Sequence, residues 1–349
     1  MGMGILAQPR PDDFSGAGFA QERRQPVDAI SHVVALASPW PRPDIQIFMT
    51  TSGNSSRIDI TLGFDERYAP HAAATIQSIL AATPGADFRF TIIHDGVSAE
   101  RRNGIEITAP KSTIHWVQIG DSDIPSYASR EHFSRAILFR LGLADAAPAD
   151  CSRMLYVDTD VICTQDIRDL WTTDMGGAPI AAVQDCFVRP DEFARRWGLN
   201  PATPSYFNSG ILLIDMNSAR SEGAFKRAID FVALHAAEVR FADQDALNFA
   251  FWGRWKKLDI VWNAQRHMAI PALIADLAPE MRLNGRQPAI IHFTGPEKPW
   301  TPNAYHPWSW LYWRAVRKTV FAAEVSRASG MGHLARARLL ARWLRSRFL

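Results

Sequence analysis

Hydrophobic and polar positions along the chain switch between two periods. RIDITLGF, from Arg57, alternates and then runs apolar, the pattern of a strand entering a core. Apolar residues spaced at three and four predict a helix over 71–82, and FRFTIIHDG predicts a strand over 88–96. Further strands are expected over 113–119, 153–162, 180–184, 210–215 and 289–293, and helices over 131–144, 222–240, 244–252 and 308–324. Strands alternating with helices predict an α/β fold, a mostly parallel sheet covered on both faces. Residues 1–56 are rich in Pro, Ser, Gly and Asp and hold no period, so they read as a loosely packed extension with one short helix at 29–38.

Ligands of open parallel sheets bind beyond the carboxyl ends of the strands. Polar residues stand at those ends: Asp65, then His94, Asp95 and Gly96, then Asp158 to Asp160, then Asp185 and His292. Composition leaves this picture intact. A chain of 349 residues, 47% hydrophobic and 21% charged, suits one large globular domain with additions and excludes a disordered or collagen-like protein. No apolar run reaches the ~20 residues that span a bilayer, and the first residues show neither a basic leader nor a long apolar stretch. The three cysteines, Cys151, Cys163 and Cys186, form no CxxC pair, which fits a reducing compartment and argues against a disulfide framework or a structural zinc. A cytoplasmic protein is the expectation.

Charge changes the picture at one end. From Arg327 onward there are six arginines and no acid; of 38 Lys and Arg that leaves 32 against 36 acidic residues in the rest of the chain. At helical spacing Leu334, Ala337, Leu340, Ala341, Leu344 and Phe348 share a face, with Arg338, Arg342 and Arg345 along its edge and Trp343 nearby. Such a tail, 327–349, can lie on an anionic membrane surface; the alternative is a helix docked on the protein with a solvated basic side. No recognition motif accompanies the charge, so nucleic acid is not an expected partner.

Three Asp-x-Asp triplets occur: Asp121-Ser-Asp123, Asp158-Thr159-Asp160 and Asp243-Gln244-Asp245. The middle one ends the most apolar strand, where paired acids repel and are costly to desolvate. In extended backbone both carboxylates face one side and can converge on a cation, and oxygen ligands suit Mn²⁺ or Mg²⁺. Turn capping or pairing with arginines is the plainer alternative.

The run FRLGLADAAPADCSRMLYVDTDVICTQDIRDLW resembles the core of the family 8 glycosyltransferases, retaining nucleotide-sugar enzymes of GT-A fold. FDERYAPHAAATIQSIL, HDGVS, YFNSGILLIDM, DQDALN and IHFTGPEKPW resemble further blocks of that family, in its order, across about 57–317. The resemblance is greatest to bacterial lipopolysaccharide and lipooligosaccharide galactosyl- and glucosyltransferases, which also tend to carry basic, aromatic C-terminal tails. It implies a catalytic domain over 57–326, a UDP-sugar donor and a glycan or glycolipid acceptor. It also implies peripheral attachment to the inner face of the membrane.

By the same resemblance Asp158, Asp160 and His292 would hold Mn²⁺, with Mg²⁺ a possible substitute, and Thr159 would lie on the donor between the acids. Gly295 would admit the diphosphate and Lys298 would contact it. Asp65 would bind uracil and Tyr68 would stack on it; Arg67 stands where the family usually has a small polar residue. Arg140 would hold the donor sugar, Asp243 would accept from its hydroxyls, and Gln244 would sit beside the reacting carbon. Asn208 and Gly210 would shape the floor, with Asp185 close to sugar and acceptor. An amide such as Gln244 is a poor nucleophile, which favours front-face attack by the acceptor over a covalent intermediate on Asp185 or Asp243. The competing functions are a non-catalytic family member that binds nucleotide sugar or membrane, and a sugar nucleotidyltransferase. The latter usually opens with a Gly-rich basic loop, where this chain reads GFDERYAP.

Overall fold

The computed structural model describes residues 57–119, 136–202, 205–269, 273, 277–301 and 306–346. The extension over 1–56 with its helix at 29–38, the Asp121-Ser-Asp123 triplet, the first five residues of the helix expected over 131–144, and Phe348 lie outside them.

The chain begins with β1 (Arg57–Gly63), α1 (Ala69–Ala82), β2 (Asp87–His94), α2 (Ala99–Thr108) and β3 (Thr113–Gln118). Next come α3 (Ala136–Leu141), α4 (Leu143–Ala146), β4 (Arg153–Val157), β5 (Val161–Cys163), α5 (Arg168–Trp171) and β6 (Ile180–Gln184). They lead to α6 (Pro190–Trp197), β7 (Phe207–Asp215), α7 (Met216–Ser221), α8 (Ala224–His235), α9 (Ala242–Ala250) and β8 (Trp255–Lys257). A 3₁₀ turn (Ile260–Asn263) precedes β9 (Ala264–Gln265), α10 (Arg266–Ala269) and β10 (Ile290–His292). Three helices follow: α11 (Ser309–Val316), α12 (Ala322–Ala328) and α13 (His333–Ser346).

Seven strands form one sheet in the order β3-β2-β1-β4-β7-β6-β8. All pairs are parallel except those that β7 makes with β4 and β6. Side-chain alternation divides the core between the two faces. Leu155, Val157, Ile211 and Leu213 pack with Ile76 of α1 on one face, while Met154, Tyr156, Leu212 and Ile214 pack with Phe225 of α8 and Leu247 of α9 on the other. β7 runs against its neighbours, so its first residues, Phe207 to Gly210, lie at the edge where β1, β4 and β6 end. A three-stranded sheet, β5-β10-β9, joins residues 161–163, 264–265 and 290–292.

Most expected elements are present, with four corrections. The described part of the helix expected over 131–144 is α3 and α4, separated at Gly142. The strand expected over 153–162 is two strands in different sheets, broken at Asp158-Thr159-Asp160. The helix expected over 308–324 is α11 and α12, interrupted where the Thr319 hydroxyl bonds the Val316 carbonyl (2.8 Å) and competes with the helical pattern. The helix expected over 222–240 begins only after Gly223, whose φ of +59° is left-handed, and ends at His235. The helices α2, α5, α6, α7 and α10 and the short strands β8 and β9 were not expected; α2, the longest of them, is mostly polar and is marked only by its Ser98 cap, whose hydroxyl accepts from the Arg101 N–H.

The tail helix takes the docked reading of the C-terminus. Leu339 is buried in the main core, so α13 is docked. Leu334, Ala337, Arg338, Ala341, Leu344 and Arg345 stay exposed, an apolar face bordered by arginine. No helix among the described residues is long and apolar enough to cross a membrane.

Candidate active site

The acidic triplet is a turn between two sheets. Its backbone is tied on three sides: Asp158 N donates to Gly210 O (2.8 Å), Phe293 N donates to Asp160 O (3.0 Å), and the Thr75 hydroxyl of α1 donates to Thr159 O (3.0 Å). Both carboxylates still face one side, through turn geometry rather than the strand alternation expected for them.

The third member of the cluster comes from β10. His292 is buried, and its Nε2 lies 3.6 Å from Asp158 Oδ2 and 3.3 Å from Asp160 Oδ1. One ligand atom from each residue falls within 4.8 Å of the others. Gly210 makes this approach possible: a Cβ there would lie 2.2 Å from His292 Cε1 and 2.8 Å from Asp158 Oδ2. Two carboxylates and an imidazole form a donor set that suits a divalent cation.

Cationic side chains balance the acids. Arg140 bridges Asp158 and Asp243 and lies over the Tyr156 ring, while Lys298 pairs with Asp160 and donates to Phe293 O (2.7 Å). The Tyr156 hydroxyl donates to Asp158 Oδ1 (2.8 Å). Burial alone would raise the Asp160 pKa, but Lys298 and His292 outweigh it and hold the carboxyl far below the usual range. Burial would likewise weaken the charge on Arg140, yet Asp158 keeps its guanidinium protonated beyond its ordinary value.

A polar floor adjoins the cluster. Asp185 at the end of β6 accepts four hydrogen bonds: Oδ1 from Phe187 N (2.7 Å) and Val188 N (2.9 Å), Oδ2 from Asn208 Nδ2 (3.0 Å) and Gln244 Nε2 (3.2 Å). Gln244 Oε1 accepts from Ser209 N (3.0 Å) and Asn208 Nδ2 (3.1 Å). A cavity of about 330 Å³ opens here between Arg140, Asp158, Gly210, Asp243, Gln244 and His292. The third triplet is divided by its helix: Asp243 faces this cavity, whereas Asp245 is buried and accepts from Tyr206, Arg240 N (2.8 Å) and Phe241 N (3.0 Å). Residues two apart on a helix diverge, so one acid serves the cavity and the other the fold.

At the other end, one Asp65 oxygen accepts from the N–H groups of Arg67 (2.9 Å) and Tyr68 (3.0 Å) in its own turn. Tyr68 is half-exposed and edge-on to Trp300, with ring centres 6.2 Å apart. Trp300 stacks on His71 (3.6 Å), linking this end to Lys298 and to Gly295, whose φ is +82°. Arg67 is exposed.

The fold therefore gathers Arg140, Asp158, Thr159, Asp160, Asp185, Asn208, Gly210, Asp243, Gln244, His292 and Lys298 around one centre, with Asp65 and Tyr68 beside the loop of Gly295. Sequence reasoning missed Thr75, Trp300, Arg240, which lines the cavity, and Asn263, whose Oδ1 lies 3.0 Å from His292 Nδ1. Trp300 stood in the quoted block IHFTGPEKPW, next to a lysine already singled out. Thr75 and Asn263 are isolated polar residues among apolar ones, with no local signal beyond that.

Comparison with known proteins agrees with this architecture. The sequence model of glycosyl transferase family 8 matches residues 59–304. General stress protein A of Bacillus subtilis is 29% identical over 269 residues, 73% of this chain and 91% of that protein. Lipopolysaccharide 1,3-galactosyltransferase of Salmonella typhimurium is 25% identical over 270 residues, 75% of this chain and 78% of that protein. The solved galactosyltransferase LgtC, in complex with donor and acceptor sugar analogs, aligns with a TM-score of 0.65 at 24% identity, over 78% of this chain and all of that one. That likeness establishes the α/β, GT-A type fold.

Proposed function

Because the chain belongs to glycosyl transferase family 8, we propose that it transfers a hexose, galactose or glucose, from a UDP-sugar to a glycan or glycolipid acceptor with retention of configuration. The observation that carries this reading is the Asp158, Asp160 and His292 cluster at the mouth of a polar cavity floored by Gln244. A divalent cation held by these residues, Mn²⁺ or Mg²⁺, would supply Lewis-acid stabilisation of the departing diphosphate.

The chain's own groups supply the remainder. Lys298 offers a fixed cation on the diphosphate side, able to exchange Asp160 for phosphate oxygens. Arg140 spans Asp158 and Asp243 and so holds the sugar-facing carboxylate in place. Asp65 and Tyr68 would receive the uracil, Thr159 would meet the donor between the acids, and Gly295 would let backbone approach the phosphates. Asn208 and Gly210 form the floor, on which Gln244 would stand beside the reacting carbon.

The hydrogen-bond pattern favours front-face attack. Both Asp185 oxygens already accept two hydrogen bonds each, and Asp243 is paired with Arg140, so neither is poised as a covalent nucleophile. In the favoured step the acceptor oxygen bonds to the anomeric carbon as the carbon–phosphate oxygen bond breaks. The acceptor proton passes to the departing phosphate oxygen, and UDP leaves. The exposed Leu334, Ala337, Ala341 and Leu344 beside Arg338 and Arg345 support a tail over 327–349 that rests on an anionic membrane carrying the acceptor. In this reading the enzyme works at the inner, cytoplasmic face, in surface-glycan synthesis.

The test is UDP release from a panel of UDP-sugars, with and without Mn²⁺, beside an Asp158→Ala/Asp160→Ala variant. Metal-dependent release from one sugar, absent in the variant, is expected. Pyrophosphate release would instead mark a nucleotidyltransferase. Neither UDP nor Mn²⁺ raising the melting temperature would leave the non-catalytic reading in its place.

A further inference from the structure

A chain of side-chain amides runs beneath the cluster, and its polarity can be read link by link. It is anchored where donor and acceptor are unambiguous. The Gly210 backbone N–H can only donate, and it donates to Asn208 Oδ1 (3.1 Å); the Asp185 carboxylate accepts from Asn208 Nδ2 (3.0 Å). Asn208 is thus fixed with its oxygen away from Asp185. The group facing that oxygen must donate, which identifies it as Asn263 Nδ2 (2.9 Å). The opposite atom of the same carboxamide, Asn263 Oδ1, lies 3.0 Å from His292 Nδ1 and can only accept. His292 Nδ1 must therefore carry a hydrogen. In the neutral ring Nε2, facing Asp158 and Asp160, is then left with its lone pair.

We propose that Asn263 is a positioning residue for the cation site, holding His292 as the Nδ1–H tautomer so that a bare Nε2 faces the two carboxylates. Asn263 is fully buried at the end of the 3₁₀ turn before β9, and β9 pairs in parallel with the strand that carries His292. Its backbone is thereby held in register with the ring it orients. The link to Asp185 makes the acid that faces the acceptor side the far anchor of the ligand's tautomer. Without Asn263 the neutral ring gains by turning its proton toward the carboxylates, and the ligand is lost to a hydrogen bond. The value of Nε2 as a ligand rests on the cation site proposed above; the tautomer itself does not.

Two measurements test this. The first is two-bond ¹H–¹⁵N spectroscopy of metal-free, ¹⁵N-histidine-labelled protein at a pH where the neutral ring predominates, with His292→Gln identifying the signals. The proposal expects a protonated Nδ1 and a bare Nε2 in the native chain, and loss of that preference in Asn263→Leu. A native ring protonated at Nε2, or an unchanged tautomer in Asn263→Leu, would overturn it. The second is Mn²⁺ titration followed by electron paramagnetic resonance. Asn263→Leu should bind ~10–100-fold more weakly, the usual cost of losing the partner of a ligating histidine. Asn263→Asp keeps an acceptor for Nδ1 and should stay within about threefold of the native affinity. Equal losses in the two variants would make Asn263 a packing residue only. Should the native chain bind no Mn²⁺, the cation reading alone would fall and the spectra would still decide the tautomer. Should Asn263→Leu fail to fold, the native spectrum and Asn263→Asp carry the decision.

Discussion

The smallest change with the largest expected effect is Gly210→Ala. An added methyl group would sit 2.2 Å from His292 Cε1, 2.7 Å from its Nδ1 and 2.8 Å from Asp158 Oδ2. Ordinary contact begins near 3.4 Å, so the ring must retreat by about 1.2 Å and the carboxylate by about 0.6 Å. Neither has slack. His292 is buried and tied to Asn263, and Asp158 is tied to Arg140 and Tyr156. Metal sites tolerate displacements of only about 0.2 Å from ideal ligand distances, so Mn²⁺ affinity should fall by at least ~10–100-fold. Overpacking of this kind costs about 1–3 kcal/mol, a melting temperature lower by roughly 2–10 °C. Circular dichroism should still report a folded chain, and UDP release should fall with metal affinity. Gly332→Ala, where a Cβ meets nothing within 4 Å, is the control and should change neither. Native Mn²⁺ affinity and turnover in Gly210→Ala would refute the argument that this glycine exists to let ring and carboxylate close.

Three further outcomes are expected. Lys298→Ala removes the fixed cation beside Asp160 and should lower kcat for UDP release by about 10²–10³-fold, the scale of a lost transition-state donor; a change under threefold would remove Lys298 from the chemistry. Burial lowers the pKa values of His71, His94 and His306 from 6.5 to about 4, 4 and 3. The unfolded chain therefore binds more protons in that window, and stability is complete above about pH 6.5 and lost as the pH falls toward the folded values. Each ring contributes up to ~1.4 kcal/mol per pH unit, so the melting temperature should drop steadily from pH 7 to 5; a level profile would show that these rings are not buried neutral. In α13, Leu334 is 80% and Leu344 45% exposed, so Leu334→Glu/Leu344→Glu should weaken binding to anionic vesicles while sparing UDP binding and melting temperature. Unchanged vesicle binding would sink the membrane role.

The parts of this protein that depend on near neighbours in the chain could be read from its sequence. Periods of two and of three to four mark β1, α1, β2, β6 and α9, and acids at the ends of apolar runs pointed to the sheet edge at which the fold gathers them. The resemblance carried by whole blocks added Lys298, Gln244 and the ligand role of His292, because a lone histidine or lysine has no local signature. The single strand expected over 153–162 failed for a physical reason. Apolar residues on both sides of Asp158-Thr159-Asp160 suit any buried strand, whereas the break follows from pairing: Val157 pairs with Ile211 in one sheet and Val161 with His292 in the other. Asn263, Asn208 and Asp185 likewise look like unrelated polar residues, 55 and 23 positions apart. A buried amide is tolerable only when every donor and acceptor is met, and which groups meet it depends on strands brought side by side from distant parts of the chain. Local periodicity follows from how each residue divides between water and core, but the orientation of a ligand's ring follows from partners that only the closed fold supplies.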